Sequence, residues 1–255
     1  MPERDAIRAF YEDNPRMVSS PFGGVGWFDR KFFESVLSAL DIDLTGRRVL
    51  DAGCGRGMAR TAVEAAGGAY TGCDFVVSGA GFPLAQADAA NLPFTDSAFD
   101  AVFCIDASEH FPRPEAAAAE FFRVLRPGGV LFLSAPNYAN VAGVVKWCCE
   151  TAGWYAPRTW APFGRWQPQE YERALTPGRV RRLYRRAGFT RMRRIGCGRE
   201  VGLGLFPWMD HRRMPEAVQF RLQRFFRATG PAIARRCPSA SLHLFWRIDK
   251  PDTAG

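Results

Sequence analysis

The sequence lacks several features that would assign it at once to a common class of protein. No apolar run approaches the roughly 20 residues needed to cross a membrane; the stretches that come closest, such as residues 141–145, are far shorter. The N-terminal residues MPERDAIRAF contain no hydrophobic signal core. Seven cysteines include no CxxC pair, and no internal repeat is present. We therefore expect a soluble protein of the reducing cytoplasm.

Lysine is also scarce, and the positive charge is unevenly distributed. Only three lysines occur, so arginine supplies nearly all of the basic side chains behind the net charge of +8. Residues 1–157 carry 13 basic and 19 acidic side chains, whereas residues 158–247 carry 20 arginines against 5 acids. Such a basic C-terminal part could bind nucleic acid, an anionic ligand or a membrane surface. It could equally be an arginine-rich face that is only exposed to solvent.

Strand-like and helix-like segments alternate along the chain. Short apolar runs predict strands that begin near residues 49, 69, 84, 99 and 130, and later near 189 and 241. Helical periodicity predicts helices over 29–40, 57–66, 114–125, 139–151 and 177–187, and one basic helix near 216–227. The connection FVVSGAGFP, residues 75–83, is short and broken by glycine and proline, so we expect a loop there. The alternation predicts an α/β fold with a mostly parallel sheet between helices.

A glycine-rich loop, VLDAGCGRG, follows the first predicted strand. Gly53, Gly55 and Gly57 would let a ligand approach the backbone, and we expect free N–H groups there at the start of a helix. The spacing is GxGxG rather than the GxGxxG of dinucleotide sites. Asp51, just ahead of the glycines, suits an amino group or a sulfonium better than a pyrophosphate. The alternative is a tight turn that serves packing alone.

Two further acids follow the next two predicted strands. Asp74 ends the second strand, where a carboxylate can accept hydrogen bonds from ribose hydroxyls. Asp88 follows the third strand and can accept a hydrogen bond from an adenine amino group, with Leu92 and Phe94 nearby as apolar walls. Together with the glycine loop, these residues predict an adenosine-shaped crevice at the carboxyl edge of the sheet.

The segments VLDAGCGRG, GCDF, ADAANLPF, FDAVFCIDASEHF and RVLRPGGVLFLSAPN resemble, in this order, the class I S-adenosylmethionine-dependent methyltransferases. LTPGRVRRLYRRAGF resembles the segment that follows the family's fifth strand. The resemblance implies a Rossmann-like sheet of seven strands, mostly parallel with the last antiparallel, and helices on both faces. It implies S-adenosylmethionine as cofactor, bound by residues Asp51, Ala52, Gly53, Gly55, Gly57, Asp74, Phe75, Asp88, Ala89 and Ile105.

The length fits one methyltransferase domain over residues 1–255. We divide it into N-terminal helices that form a lid (1–45), a cofactor-binding core (46–136) and a helical, aromatic cap insertion (137–175). The remainder (176–255) would complete the sheet and carry a second insertion at 198–237. The cap is rich in Trp, Pro and Gly, a composition too ordered for a linker.

The end of the fourth predicted strand, CIDASEHF, supplies candidate catalytic residues. Asp106, Glu109 and His110 have the spacing that brings side chains together on a helical turn, and His110 is our candidate general base. The stretch also resembles the ExxEH of the ubiquinone-pathway O-methyltransferases, whose acids and histidine bind a divalent cation. All three residues are therefore candidate ligands of a cation such as Mg²⁺, although His110 could equally serve only to orient a loop. His211 lies in an insertion, and His243 is expected to be structural.

The acceptor is expected to be a small aromatic or lipophilic molecule, and a hydroxyl is the acceptor group that the candidate base favours. The Asn/Asp-Pro-Pro-aromatic tetrad of nucleic-acid amino methylases and the Pro-Cys motif of cytosine-C5 methylases are both missing at the fourth strand. Their absence disfavours a nucleic-acid substrate. N- or C-methylation remains an alternative, as does, less favourably, an NAD-dependent oxidoreductase. Weak peripheral contact with a membrane is a further hypothesis. Aromatic residues predicted to bind the acceptor, which packing of the cap would explain equally well, are Tyr11, Phe22, Tyr138, Trp160 and Trp166.

Overall fold

A computed structural model describes residue 9 and residues 30–76, 81–154, 172–211 and 213–252. Seven strands lie in these ranges: β1 Arg48–Ala52, β2 Ala69–Asp74, β3 Leu84–Gln86, β4 Phe99–Ile105, β5 Leu125–Pro136, β6 Arg191–Ile195 and β7 His243–Asp249. The helices are α1 Arg30–Leu40, α2 Arg60–Ala65, α3 Pro114–Val124, α4 Val141–Thr151, α5 Pro177–Arg186, α6 Val201–Leu205 and α7 Glu216–Arg236.

The strands form one sheet in the order β3-β2-β1-β4-β5-β7-β6. Strands β1 to β5 pair in parallel, and β7 is antiparallel to both β5 and β6. The predicted seven-stranded, mostly parallel sheet is therefore confirmed. From β1 the chain proceeds outward to β2 and β3 and then returns to β4 on the other side. This reversal opens a crevice at the carboxyl ends of β1 and β4, which is where open α/β sheets bind ligands.

Alternate residues of the central strands pack on opposite faces of the sheet. Leu50, Val102 and Leu131 belong to the core cluster that includes residues of α3 and α5. Val49 and Phe103, their neighbours in sequence, belong to the cluster that includes residues of α1 and α2. This alternation places helices on both faces, as the sequence predicts.

The segment between β5 and β7 adds a layer of helices beside the sheet. The core of this layer joins Ala142 of α4 to Leu203 of α6 and to Met209 and Leu242, with partly buried residues of α7 packed against them. Helix α7 is longer than predicted and continues past residue 227 through Pro231 to Arg236. Glycine explains the close packing there, because a Cβ on Gly230 would lie 2.2 Å from the carbonyl oxygen of Gly198.

The connection between β2 and β3 is not helical where it is described, at residues 75–76 and 81–83, as expected from its glycines. Within the described ranges, no helix is both long enough and apolar enough to cross a membrane.

Candidate active site

The glycine loop after β1 has a backbone that other residues would adopt only with strain. Gly53, Gly55 and Gly57 have φ values of 77°, 52° and 73°, in the left-handed region that glycine tolerates best. A Cβ on Gly53 would lie 2.4 Å from the Cβ of Ala107, in the loop that follows β4. The two loops that border the crevice thus approach so closely that only glycine fits at position 53.

The amides of these glycines are bound within the protein, contrary to the expectation of free N–H groups. Gly53 donates to the carbonyl of Cys73 at 2.8 Å, and Gly57 donates to the carbonyl of Cys54 at 2.8 Å. Gly55 donates to Oδ2 of Asp74 at 2.7 Å. Helix α2 begins only at Arg60, beyond the loop. The loop therefore provides space rather than hydrogen-bond donors from these three residues.

Two carboxylates border this space, Asp51 fully buried and Asp74 partly buried. Asp51 is 3% exposed and accepts a hydrogen bond from the Tyr70 hydroxyl at 2.7 Å. Burial, with an added contribution from the charge of Asp74, raises the pKa of Asp51 to about 7 in spite of that hydrogen bond. Burial also raises the pKa of Asp74, while the amides of Gly55 and Val76 lower it. In the part of the chain that the structure describes, neither carboxylate has a lysine or arginine at ion-pair distance. Such a pair fits a ligand that carries its own positive charge.

The remaining predicted cofactor residues lie along the same edge of the sheet. Ala52, Phe75 and Ile105 are at the carboxyl ends of β1, β2 and β4. Asp88 accepts hydrogen bonds from the Ala90 amide and from the Arg113 guanidinium, both at 2.9 Å. These bonds fix the orientation of its carboxylate, and its role toward adenine stays a prediction, as does that of Ala89.

Phe82 borders the glycine loop and was not among the predicted residues. A Cβ added to Gly57 or to Gly72 would lie 2.7 Å from its ring. The ring packs edge-on against Tyr70, with centroids 5.4 Å apart, and the Arg60 guanidinium lies 5.6 Å from its centroid. Its sequence context, a short glycine-rich connection, carried no periodic signal that could have placed it there.

Asp106, directly after β4, faces β5 and β7 rather than His110. Its φ of 45° is unusual for a residue other than glycine. Its Oδ1 accepts a hydrogen bond from the Ser134 hydroxyl at 2.7 Å, and its Oδ2 lies 3.1 Å from Nε2 of His243. His243 Nδ1 in turn lies 2.9 Å from Oε1 of Glu200. We call these four residues, Asp106, Ser134, Glu200 and His243, the buried network.

Opposing effects act on the proton affinity of His243. Burial alone would lower its pKa, but Asp106 and Glu200 raise it to about 9. At neutral pH the imidazole is therefore a cation between two acids. The prediction that His243 is structural agrees with this burial, although no feature of the sequence indicated its acidic partners.

Glu109 and His110 lie on a short 3₁₀ turn, Ser108–His110. The turn places Nε2 of His110 3.9 Å from Oε1 of Glu109. Burial raises the pKa of Glu109 well above its usual range, and the charge of Asp106 adds to this. Burial lowers the pKa of His110 to about 4 against an opposing effect of Glu172, so its imidazole is uncharged.

The predicted metal site is not formed by Asp106, Glu109 and His110. Asp106 precedes the 3₁₀ turn, and its positive φ directs the carboxylate to Ser134 and His243, so the expected helical spacing does not bring the three side chains together. Among the residues that the structure describes, no group of three metal-binding side chains could hold an ion.

A second set of polar side chains lies beside His110, and we call it the acceptor-side cluster: Tyr138, Lys146, Glu150 and Glu172. The Tyr138 hydroxyl donates to Oε1 of Glu172 at 2.7 Å, and Lys146 pairs with the same carboxylate. Lys146 also lies 3.8 Å from Glu150 and 4.9 Å from the centre of the Tyr138 ring. Burial would raise the pKa of Glu172, but Lys146 and Tyr138 hold it below its usual range.

The backbone connects this cluster to the turn after β4, since the Arg173 amide donates to the carbonyl of Glu109 at 2.9 Å. Tyr138 is the one predicted acceptor-binding residue within the described ranges. Tyr11, Phe22, Trp160 and Trp166 lie outside them. Lys146 and Glu172 were missed, although the scarcity of lysine could have drawn attention to position 146.

Comparison with known proteins agrees with this geometry. Residues 50–133 match the family model described as a methyltransferase domain. The chain carries a class I S-adenosylmethionine-dependent methyltransferase domain. S-adenosylmethionine is the cofactor of such a domain, and the positive charge that it carries fits the acid-lined space beside the glycine loop.

Two curated relatives of this chain have names that state what they methylate. Over 136 residues it is 40% identical to a fatty-acid O-methyltransferase of Mycolicibacterium smegmatis, which covers 47% of this chain and 48% of that protein. Over 131 residues it is 34% identical to phthiotriol/phenolphthiotriol dimycocerosates methyltransferase 1 of Mycobacterium ulcerans, with 46% of each covered. The matched segment thus spans about half the length of these relatives.

A solved methyltransferase of Thermotoga maritima shares the fold across nearly the whole chain. It superposes with a TM-score of 0.59 at 16% identity and covers 94% of this chain and 99% of its own. At that identity the likeness shows the fold alone.

Proposed function

We propose that this protein transfers a methyl group from S-adenosylmethionine to a hydroxyl of a small lipophilic molecule, with His110 as the general base. The observation that carries the proposal is the position of His110, on the turn directly after β4, with an imidazole that burial keeps uncharged at neutral pH. It follows the strand next to the glycine loop and adjoins the acceptor-side cluster. A base must be unprotonated to accept a proton, and His110 meets that condition at any pH near neutrality.

The chain's own residues perform three tasks in this reaction. S-adenosylmethionine, when bound, would supply the methyl group: the acceptor oxygen would form a bond to the methyl carbon in line with the breaking S–CH3 bond, and S-adenosylhomocysteine would leave. Asp51 and Asp74 attract the positively charged cofactor, and the glycine loop leaves room for it. His110 accepts the proton that the acceptor hydroxyl loses, and the nearby carboxylate of Glu172 stabilises the imidazolium that forms. The Tyr138 ring offers an apolar wall beside the same base.

The charge of the acceptor-side cluster favours a hydroxyl over a carboxylate as the acceptor. Lys146, the cation of this cluster, is already paired with Glu172 and lies near Glu150. A fatty-acid carboxylate would therefore meet carboxylates there rather than an available cation. A neutral hydroxyl has no such penalty. The lipophilic character of the acceptor is supported by the names of the two curated relatives.

An acceptor screen tests the proposal. S-adenosylhomocysteine release would be measured with long-chain alcohols, long-chain fatty acids, aromatic hydroxyl compounds and long-chain amines. We expect turnover with hydroxyl compounds; turnover confined to fatty acids or to amines would contradict the proposal. Calorimetry with S-adenosylhomocysteine and with NAD distinguishes a methyltransferase from an NAD-dependent oxidoreductase. We expect only S-adenosylhomocysteine to bind.

Variants then test the base. His110→Gln should lower kcat about 100-fold or more while the affinity for S-adenosylhomocysteine is retained. His211→Gln, a matched change at another buried histidine, should leave kcat near that of the wild type. If His110→Gln turned over normally, the base would be a different group.

A chelator tests separately whether activity requires a divalent cation. Because Asp106, Glu109 and His110 do not converge, we expect EDTA to leave the rate unchanged. A loss of activity that Mg²⁺ restores would show that a cation binds by another arrangement.

A further inference from the structure

Helix α4 has the reverse of the usual polarity of a surface helix. Its charged side chains, Lys146 and Glu150, point inward to the acceptor-side cluster and are only 13% and 25% exposed. Its outward side chains are apolar: Val144 is 55% exposed and Trp147 is 57% exposed. Trp154, just beyond the helix, is 60% exposed. An ordinary amphipathic helix would bury such side chains and expose the charges.

From this reversal we infer that the outer face of α4 docks on an anionic lipid membrane, from which the protein takes its acceptor. We call this face, formed by Val141, Val144, Trp147 and Trp154, the docking face. The inference deepens the proposed function and rests on it for the lipophilic acceptor. Tryptophan suits the boundary between lipid tails and water, because its ring is apolar and its N–H can remain hydrated.

The docking face lies directly over the site that would receive the acceptor. Residues 144 and 147 point outward from the same helical turns from which Lys146 and Glu150 point toward Tyr138 and Glu172. An acceptor leaving the membrane beside α4 would therefore have only the width of one helix to pass before it met the base. Asn140 secures the start of this helix, since its Oδ1 accepts a hydrogen bond from the Gly143 amide at 2.7 Å.

Charge on a neighbouring helix favours an anionic surface as the partner. Helix α7 joins α4 through the core around Leu203, and it exposes Phe220 and Phe225 at 67% and 56%. Arg221 and Arg224 lie exposed between these two aromatics. Aromatic anchors interspersed with arginines are typical of surfaces that bind anionic lipid.

The same arginines disfavour a second copy of the chain as the partner. In a symmetric dimer formed through this layer of helices, like surfaces would meet. Arg221 and Arg224 of both copies would then be gathered at one interface, where like charges repel. A membrane that contains anionic lipid has the opposite charge.

Flotation with lipid vesicles tests the docking face. The wild-type protein would be mixed with phosphatidylcholine vesicles that contain or lack phosphatidylglycerol, and binding is expected to the anionic vesicles. The double variant Val144→Ser/Trp147→Ser should bind them at least about tenfold more weakly, because it loses two apolar side chains. Trp147→Phe alone should retain most of the binding.

Matched charge reversals test the contribution of the arginines. Arg221→Glu/Arg224→Glu on α7 should weaken binding to anionic vesicles about tenfold or more. Arg181→Glu/Arg185→Glu makes the same change at exposed positions of α5, which packs against α3 rather than α4, and should bind like the wild type. Equal losses from both pairs would mean that net charge alone drives binding and would overturn the assignment of a docking face.

Further measurements separate this inference from the proposed function. Affinity for S-adenosylhomocysteine, and turnover of an acceptor dispersed in detergent, should be unchanged in Val144→Ser/Trp147→Ser. Vesicle binding without methylation of any hydroxyl compound would refute the proposed function but would still support the docking face. Absence of vesicle binding would overturn the docking face. So would a wild-type dimer, found by sedimentation velocity, that dissociates in the double variant.

Discussion

Two histidines in this protein differ in charge at neutral pH, one neutral and the other positive, and their surroundings explain why. Burial lowers the pKa of His110 to about 4, against a smaller opposing effect of Glu172. His243 is more deeply buried than His110, but Asp106 and Glu200 lie 3.1 Å and 2.9 Å from its two ring nitrogens and raise its pKa to about 9. The first histidine is suited to accept a proton, and the second holds one.

This difference can be measured directly by NMR. In a titration of the imidazole nitrogens, we expect the signals of His110 to move near pH 4 and those of His243 near pH 9, with neither moving near 6.5. The variants His110→Gln and His243→Gln would assign the signals. A midpoint near 6.5 for His110 would show that its ring is accessible to water and would weaken its assignment as a buried base.

Asp51 makes a second prediction at the scale of a single residue. Its pKa of about 7 means that part of the population is protonated at neutral pH. A cationic ligand prefers the ionised carboxylate, so affinity for S-adenosylmethionine should rise about tenfold between pH 6 and 8 and then level off. Calorimetry across this range would measure the change. Asp51→Asn should bind more weakly and without this dependence on pH, whereas a flat profile in the wild type would argue against contact between Asp51 and the cofactor.

At the scale of elements, the glycine loop combines two separable constraints. Gly46 and Gly53 both have positive φ, at 67° and 77°, but a Cβ on Gly46 meets no atom within 4 Å. Gly46→Ala should therefore cost only the backbone strain, about 1–2 kcal/mol. Gly53→Ala adds the clash with Ala107, a further 1–3 kcal/mol or so, and should also weaken S-adenosylhomocysteine binding. Denaturant unfolding and calorimetry on the two variants would check both effects, and equal unfolding free energies would show that Ala107 moves aside.

The turn after β4 shows where periodicity along the chain ceases to predict structure. Asp106, Glu109 and His110 have helical spacing, yet only residues 108–110 form a helical turn, and it is 3₁₀. Asp106 has a positive φ that no feature of its local sequence predicts. Its conformation is held by Ser134 and His243 on two other strands. The sequence therefore identified the segment as chemically important but assigned Asp106 to the wrong partners.

At the scale of the whole molecule, the buried network connects β4, β5, β7 and the segment before α6. His243 gains its proton affinity only on folding, so its effect on stability depends on pH. Because the folded pKa is raised from 6.5 to about 9, the stabilisation is fully present below pH 6.5 and is lost as pH rises through 9. The loss should be of the order of 3 kcal/mol.

Denaturant unfolding of the wild type and of His243→Gln, measured between pH 6 and 10, would test this prediction. The wild-type unfolding free energy should fall with rising pH, and the variant should be less stable at pH 6 with a shallower fall. Parallel curves for the two proteins would mean that the network is not the source of the pH dependence.

The sequence by itself determined the features that depend on neighbouring residues: the span of β4, the glycines of the loop, the acids at three strand ends and the family to which these motifs belong. Tertiary structure alone decided which of these groups meet. It paired Asp106 with His243, brought Lys146 and Glu172 to the side of His110, and left the apolar face of α4 exposed. The physical reason is that backbone conformation and side-chain periodicity are local properties. A side chain's contacts and its burial, in contrast, are set by the order of strands in the folded sheet.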